Sequence, residues 1–207
     1  MKRTAGRLLA ALAALTVVSA VAVADDESGF VPLFDGKTLA GWAPEFTEKF
    51  AVRGGVIVND GGTGWLRTSK PYKDFEFRAE YRAWKKGADS GLFFRATARS
   101  TEKAPHWCAR GYQLQVIDAD SHFMLFGHGT PARFDRKTDA LRAAMKGPGE
   151  WQAVGLKVVG RRAEATLNGR LVTVSDAITV PEGFLGLQGE HGRFEWRALR
   201  IKEFPAR

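Results

Sequence analysis

Strand parity lets the side chains of Glu80, Arg95, Gln113, Gln115 and Gln188 leave a core, and Asp118, at a strand end, and His191, between two runs, are two further polar residues that could act with them. In Phe75-Glu76-Phe77-Arg78-Ala79-Glu80-Tyr81-Arg82 the apolar residues fall on one face and the charged ones on the other, because successive side chains of a strand point to opposite sides. By the same alternation Gln113 and Gln115 share a face, and Gln188 opposes Leu185 and Leu187. Arg95, next to Phe94, offers a planar fork of donors suited to hydroxyls, a carbonyl oxygen or a carboxylate. Glu80 could exchange a proton with a bound molecule, and His191 could do so near neutral pH. Asp118 closes its strand, a place where Asp also holds turns. Any one of these alone also suits the solvated face of a sheet, and Glu76, Arg78 and Arg82 are read that way.

Other chemistries find little support. His106-x-Cys108 and the His122/His128 spacing match no zinc pattern, and Asp118-x-Asp120 falls short of a calcium loop. These histidines are read as solvent-exposed loop residues. No glycine-rich phosphate loop and no serine elbow occur, so neither a metal nor a cofactor is expected. Cys108 is the one cysteine, which precludes an intramolecular disulfide and leaves stability to packing.

The elements that position these residues are strands. From Phe30 onward, short apolar alternations are separated by Gly, Asn and Asp, which is strand punctuation. Besides the Glu80 strand, the runs are 91–95, 112–118, 151–159, 163–167, 171–174, 184–188 and 194–201. Asn168-Gly169 is a hairpin turn pair, since both central positions must tolerate positive φ, and Gly54-Gly55 and Gly61-Gly62 bracket Val56 to Val58. Many short strands predict an all-β fold, an antiparallel β-sandwich of two stacked sheets. Residues 119–150 form a long connection with a helical turn or two at 138–146, and long ordered loops are often binding elements.

The chain starts with Lys2, Arg3 and Arg7, continues in an apolar run from Leu8 to Val23, and reaches Ala22-Val23-Ala24 before three acidic residues. These are the parts of a cleaved secretory signal, and the run is shorter than the roughly 20 residues that cross a bilayer. Residues 1–24 are read as the signal peptide and 25–207 as a single domain, exported to the periplasm or beyond and free of the membrane after cleavage. Cleavage removes three basic residues and takes the formal charge from +8 to +5. The remaining Arg and Lys are scattered, which argues against a nucleic-acid partner.

Several stretches, taken in order, resemble the 3-keto-disaccharide hydrolase domain family. They are Gly29-Phe30-Val31-Pro32-Leu33-Phe34-Asp35-Gly36-Lys37 with Gly41-Trp42, Asp74-Phe75-Glu76-Phe77 with Glu80, Asp89-Ser90-Gly91 with Phe94-Arg95, and Gly111-Tyr112-Gln113-Leu114-Gln115-Val116-Ile117-Asp118. The series closes with Gly149-Glu150-Trp151, Leu167-Asn168-Gly169, Gly186-Leu187-Gln188, His191-Gly192 and Ile201-Lys202-Glu203. The resemblance implies a concanavalin A-like lectin and glucanase jelly roll acting on 3-keto-glycosides or 3-keto-disaccharides made by a separate sugar 3-oxidoreductase. It further implies that Glu80, His191 and Asp118 are catalytic and that Arg95, Gln113, Gln115 and Gln188 bind the carbohydrate. Asp89 stands where the family usually has Asn, and Gln113 where it usually has Glu. The rival expectation is a non-catalytic carbohydrate-binding module. N-terminal sequencing of the exported protein should begin at Asp25; a membrane-bound chain retaining Met1 would contradict the signal assignment.

Overall fold

The computed structural model describes residues 27–47, 49–98, 106–117 and 120–205. Among them are fifteen strands and one short helix: β1 Val31–Pro32, β2 Trp42–Glu45, β3 Phe50–Arg53, β4 Val56–Asp60, β5 Gly64–Thr68, β6 Phe75–Ala83, β7 Asp89–Ala96, β8 Gly111–Ile117, β9 Leu125–His128, β10 Asp135–Arg136, α1 Thr138–Ala144, β11 Gln152–Val159, β12 Arg162–Leu167, β13 Arg170–Ser175, β14 Phe184–Gly189 and β15 Arg193–Glu203. The nine-stranded sheet runs β10-β13-β12-β11-β6-β15-β4-β3 with β1 on β15, and the six-stranded sheet runs β2-β5-β14-β7-β8-β9. Every pairing is antiparallel, so the fold is the expected jelly-roll sandwich.

Strand alternation builds the core. Phe75, Phe77, Ala79 and Tyr81 of β6 meet Leu92 and Phe94 of β7 and Tyr112, Leu114 and Val116 of β8 in one buried cluster. A buried apolar side chain of this size contributes about 1.5–3 kcal/mol. The Asn168-Gly169 hairpin forms between β12 and β13 with φ of 47° and 79°, and α1 occupies the stretch where a helical turn was expected. The described part of the long connection, 120–150, holds more order than its sequence suggests: Leu125–His128 extends the six-stranded sheet and Asp135–Arg136 the nine-stranded one. β9 has a single buried side chain, Leu125, and a glycine, too little to show a period.

The other cluster lies outside the sandwich. Trp65, Phe93, Ala96 and Cys108 are buried together, with Trp107 and Phe184 packed against them, on the outward face of the six-stranded sheet. Phe93 and Ala96 both face outward although three residues apart, because β7 carries a bulge against β14 between Phe93 and Ala96, and Arg95 within it has φ 46°.

That bulge corrects the expectation for Arg95. Its guanidinium is 2% exposed and turns into the end of the sandwich. It pairs with Asp74 at 3.0 Å and donates to the carbonyls of Lys73 at 2.9 Å, Gly160 at 2.8 Å and Val180 at 2.9 Å. A fork so engaged is unavailable to a substrate. Asp74 Oδ1 also accepts the Gly160 N–H at 2.8 Å, so Arg95 of the six-stranded sheet is tied through Asp74 and Gly160 to the nine-stranded one.

His122 also departs from the expectation of an exposed loop residue. It is 2% exposed; its Nδ1 accepts from Ile117 N–H at 3.0 Å, which places the proton on Nε2, 3.1 Å from Tyr81 Oη. Burial, assisted by the Arg136 charge, pushes its pKa down to about 4.

Two measurements follow. Arg95→Leu leaves Asp74 charged and unpaired in the interior, and urea unfolding should show a loss of about 3–5 kcal/mol; a loss below about 1 kcal/mol would mean the cluster is dispensable. The folded chain resists protonating His122 between its ordinary pKa and about 4, so the unfolded chain binds more protons there. Stability from this group is therefore complete above the ordinary range and falls as pH drops, by up to about 3 kcal/mol. His122→Gln, which keeps both hydrogen bonds, should be less acid-sensitive than wild type over that window; parallel acid profiles would refute the assignment.

Candidate functional site

The outward face of the six-stranded sheet carries buried polar side chains beside its aromatic cluster, an arrangement that needs a hydrogen-bonded network to be tolerated. Gln113 and Gln115 project from β8 and Gln188 from β14, all at most 8% exposed. Between them lies Gly91 of β7, where an added Cβ would stand 2.6 Å from Gln113 Nε2 and 2.9 Å from Gln188 Oε1. The missing side chain lets the two amides meet across an intervening strand. Gly186 does the same for Trp65, whose ring would be 2.1 Å from a Cβ there.

The amides form one row. Gln115 Nε2 donates to Asp89 Oδ1 at 2.6 Å, Gln113 Nε2 donates to Gln115 Oε1 at 2.6 Å and to Gln188 Oε1 at 2.9 Å, and Gln188 Nε2 donates to Glu190 Oε2 at 2.7 Å. His128 Nε2 lies 3.0 Å from Gln113 Oε1. A carboxylate only accepts, so Asp89 and Glu190 fix every amide: Gln115 and Gln188 must turn their NH2 groups outward, and Gln113 must donate twice. His128, with its pKa lowered by burial, supplies the N–H that Gln113 Oε1 accepts.

Electrostatics at the two ends is unusual. Burial and then the nearby charge of Glu190 push Asp89 up to about 6, against the Gln115 hydrogen bond. Glu190 is also raised by burial, with His191 pulling the other way. His191 is exposed and bridges Asp89 through the backbone, by Asp89 N–H to His191 carbonyl at 2.7 Å and His191 N–H to Asp89 carbonyl at 3.1 Å.

The aromatic half of the face packs Phe93 against Trp65, with centroids 5.1 Å apart, and against Trp107 at 6.0 Å and His128 at 5.4 Å. Trp65 Nε1 is buried with no hydrogen-bond partner among the described residues. Cys108 packs here with its thiol pushed up to about 12 by burial. Arg67 lies over Phe184 at 4.5 Å and donates to Glu45 at 2.6 Å. Phe46 and Phe126, both largely exposed, stand beside β2 and on β9, the two edges of this sheet.

The sequence-predicted site residues thus separate. Gln113, Gln115 and Gln188 come together, with His191 at the rim. Glu80 lies on the outward face of the other sheet, its carboxylate 2.6 Å from Arg197, which stacks on Trp151 at 3.9 Å. Parity correctly sends Glu80 out of the core but cannot say which sheet it leaves. Asp118 lies outside the described residues. Of the histidines taken as exposed loop residues, His106 is exposed while His128 is half-buried in the network. Asp89, Glu190 and His128 escaped the sequence reading; the signal for Asp89 was its place before Ser90-Gly91, where a charge replaces the usual amide. Among the described residues no three His, Cys, Asp or Glu side chains group as metal ligands do.

A protein of Bacteroides thetaiotaomicron called 3-keto-disaccharide hydrolase is 32% identical over 117 residues, which cover 47% of this chain and 40% of that protein. The chain thus matches well under half of that relative's length. A candidate glycosyl hydrolase of Parabacteroides distasonis shares the fold with a TM-score of 0.65 at 20% identity, covering 86% of this chain and 94% of that one. The carbohydrate-binding module CBM66 of Bacillus subtilis does so at 0.58 and 19% identity, covering 79% and 96%. The profile of the 3-keto-alpha-glucoside-1,2-lyase-like domain matches residues 29–202, nearly the whole described chain, and the protein belongs to that family.

Proposed function

We propose that this protein is an exported enzyme that breaks glycosidic bonds of 3-keto-glycosides or 3-keto-disaccharides on the outward face of the six-stranded sheet. The observation that carries this reading is the glutamine row held between two carboxylates, beside a buried aromatic cluster. Amides recognise sugar hydroxyls without adding charge, aromatic faces suit the C–H side of a pyranose, and the carboxylates supply proton transfer.

A ketone at C3 acidifies the C2 proton. A base removes that proton, and the electron pair passes into the enolate. The enolate collapses to a C1–C2 double bond with its ketone restored, the C1–O bond breaks, and an acid protonates the departing oxygen. Water then adds at C1 while C2 regains a proton, so the net change is hydrolysis with no oxidant or reductant consumed. Gln115 and Gln188 each keep one amide N–H that the row does not use, suited to the oxygen on which enolate charge grows. His191, at the rim, is positioned to contact the sugar or the departing group. The ketone itself must come from a sugar 3-oxidoreductase acting beforehand.

The other reading, a carbohydrate-binding module, is favoured by Gln113, an amide where the family usually has a carboxylate. The test is incubation with 3-keto-trehalose, 3-keto-glucosides and the parent sugars while following release of the second sugar or aglycone. Release from the keto sugars alone is expected; binding of intact sugars with no release from any would establish the module instead.

A further inference from the structure

We propose that Asp89 and Glu190 are the acid–base pair of this site, sharing one proton across the glutamine row. This rests on the reading above that the site cleaves glycosides. The first support is what these carboxylates lack. Among the described residues, every other acidic side chain that is even partly buried carries an arginine: Glu45 with Arg67, Asp74 with Arg95, Glu76 with Arg78, Glu80 with Arg197, Glu164 with Arg162 and Glu195 with Arg82. Asp89 and Glu190 are partly buried and, among the described residues, make no ion pair to Arg or Lys. Burying two unneutralised carboxylates near each other costs stability unless one is protonated.

The second support is how they are held. Each gives one oxygen to a neutral amide, Asp89 Oδ1 to Gln115 and Glu190 Oε2 to Gln188. Among the described residues no side-chain donor reaches Asp89 Oδ2 or Glu190 Oε1. The row therefore orients both groups without cancelling their charge; the Ser90 backbone N–H also reaches the Asp89 carboxyl, and no side chain of the described residues occupies the second oxygen of either group. The backbone bridge between Asp89 and His191 keeps the start of β7 beside the segment after β14, so the row curls back and its two terminal carboxylates lie on neighbouring segments.

One member takes the C2 proton as the other gives its proton to the glycosidic oxygen. When water adds, the first returns a proton to C2 and the second receives one from water, which restores the pair. Asp89, pushed up to about 6 by burial and by Glu190, binds a proton more readily than an ordinary carboxylate does. The other titratable groups beside the pair are His191, next to Glu190 in the chain, and His128, through Gln113; the stem of Lys85 lies against Gly192, two residues beyond Glu190.

The experiment has two arms on the full exported protein. In the first, turnover of a 3-keto-glucoside is measured for wild type, Asp89→Asn and Glu190→Gln, together with exchange of the C2 proton into deuterated water. Each variant should fold, as judged by circular dichroism, and lose on the order of 10² to 10⁴ in kcat, with exchange abolished in the one that removes the base. In the second, side-chain carboxyls are titrated by carbon-13 NMR. Glu190→Gln should move the Asp89 midpoint down, and Asp89→Asn should move that of Glu190 down. Unchanged turnover in both variants of an active enzyme would overturn the proposal and leave the glycoside reading standing. If wild type cleaves no keto sugar, that reading fails on its own, and the titration still decides: coupled midpoints support the shared proton, and independent midpoints refute it.

Discussion

The arrangement of this molecule depends on one buried guanidinium. Arg95 sits inside a bulge of β7 and gathers Asp74 and three backbone carbonyls from segments next to both sheets. Without the extra residue, alternation would place Arg95 on the outward face and Ala96 in the core. With it, Phe93 and Ala96 both join the outer aromatic cluster, and β7 runs in the register that puts Gly91 between Gln113 and Gln188. The charge would be costly in the interior without its partner. The same tie that joins the sheets therefore fixes the floor of the site.

The network on that floor uses neutral groups for positioning and reserves charge for its ends. Three amides in a row satisfy one another, which lets them be buried where three carboxylates could not be. Their orientation is dictated from outside, by the two acceptors at the ends and the histidine at the middle. Change in the protonation of an end group thus acts on a geometry that is already set.

The fold was largely legible because it is written in local patterns: alternation in β6, the Asn-Gly turn between β12 and β13, and glycine punctuation before each run. The site was only half legible. Parity identifies Gln113, Gln115 and Gln188 as facing away from the core, and the structure brings them together. The same parity cannot distinguish the outward faces of two different sheets, and that separates Glu80 from them. Arg95 is misread because a bulge shifts parity by one residue while leaving no mark in the residue types. Asp89 and Glu190 lie at strand ends, where alternation stops, and their proximity is a product of topology.

The absence of side chains at Gly91 and Gly186 gives the site an uneven evolutionary accessibility. Alanine at either position would thrust a methyl group into the space that Gln113 and Gln188, or Trp65, now fill, while the core clusters on the other side of the sheet would remain intact. Glycine and alanine codons differ by one nucleotide. A lineage carrying this jelly roll can thus lose the assembled face in a single substitution and keep a stable domain, whereas gaining it requires a vacancy, three amides and two end groups in register. Sandwiches that keep the frame without the chemistry should accordingly be common outcomes of descent from a chain like this one.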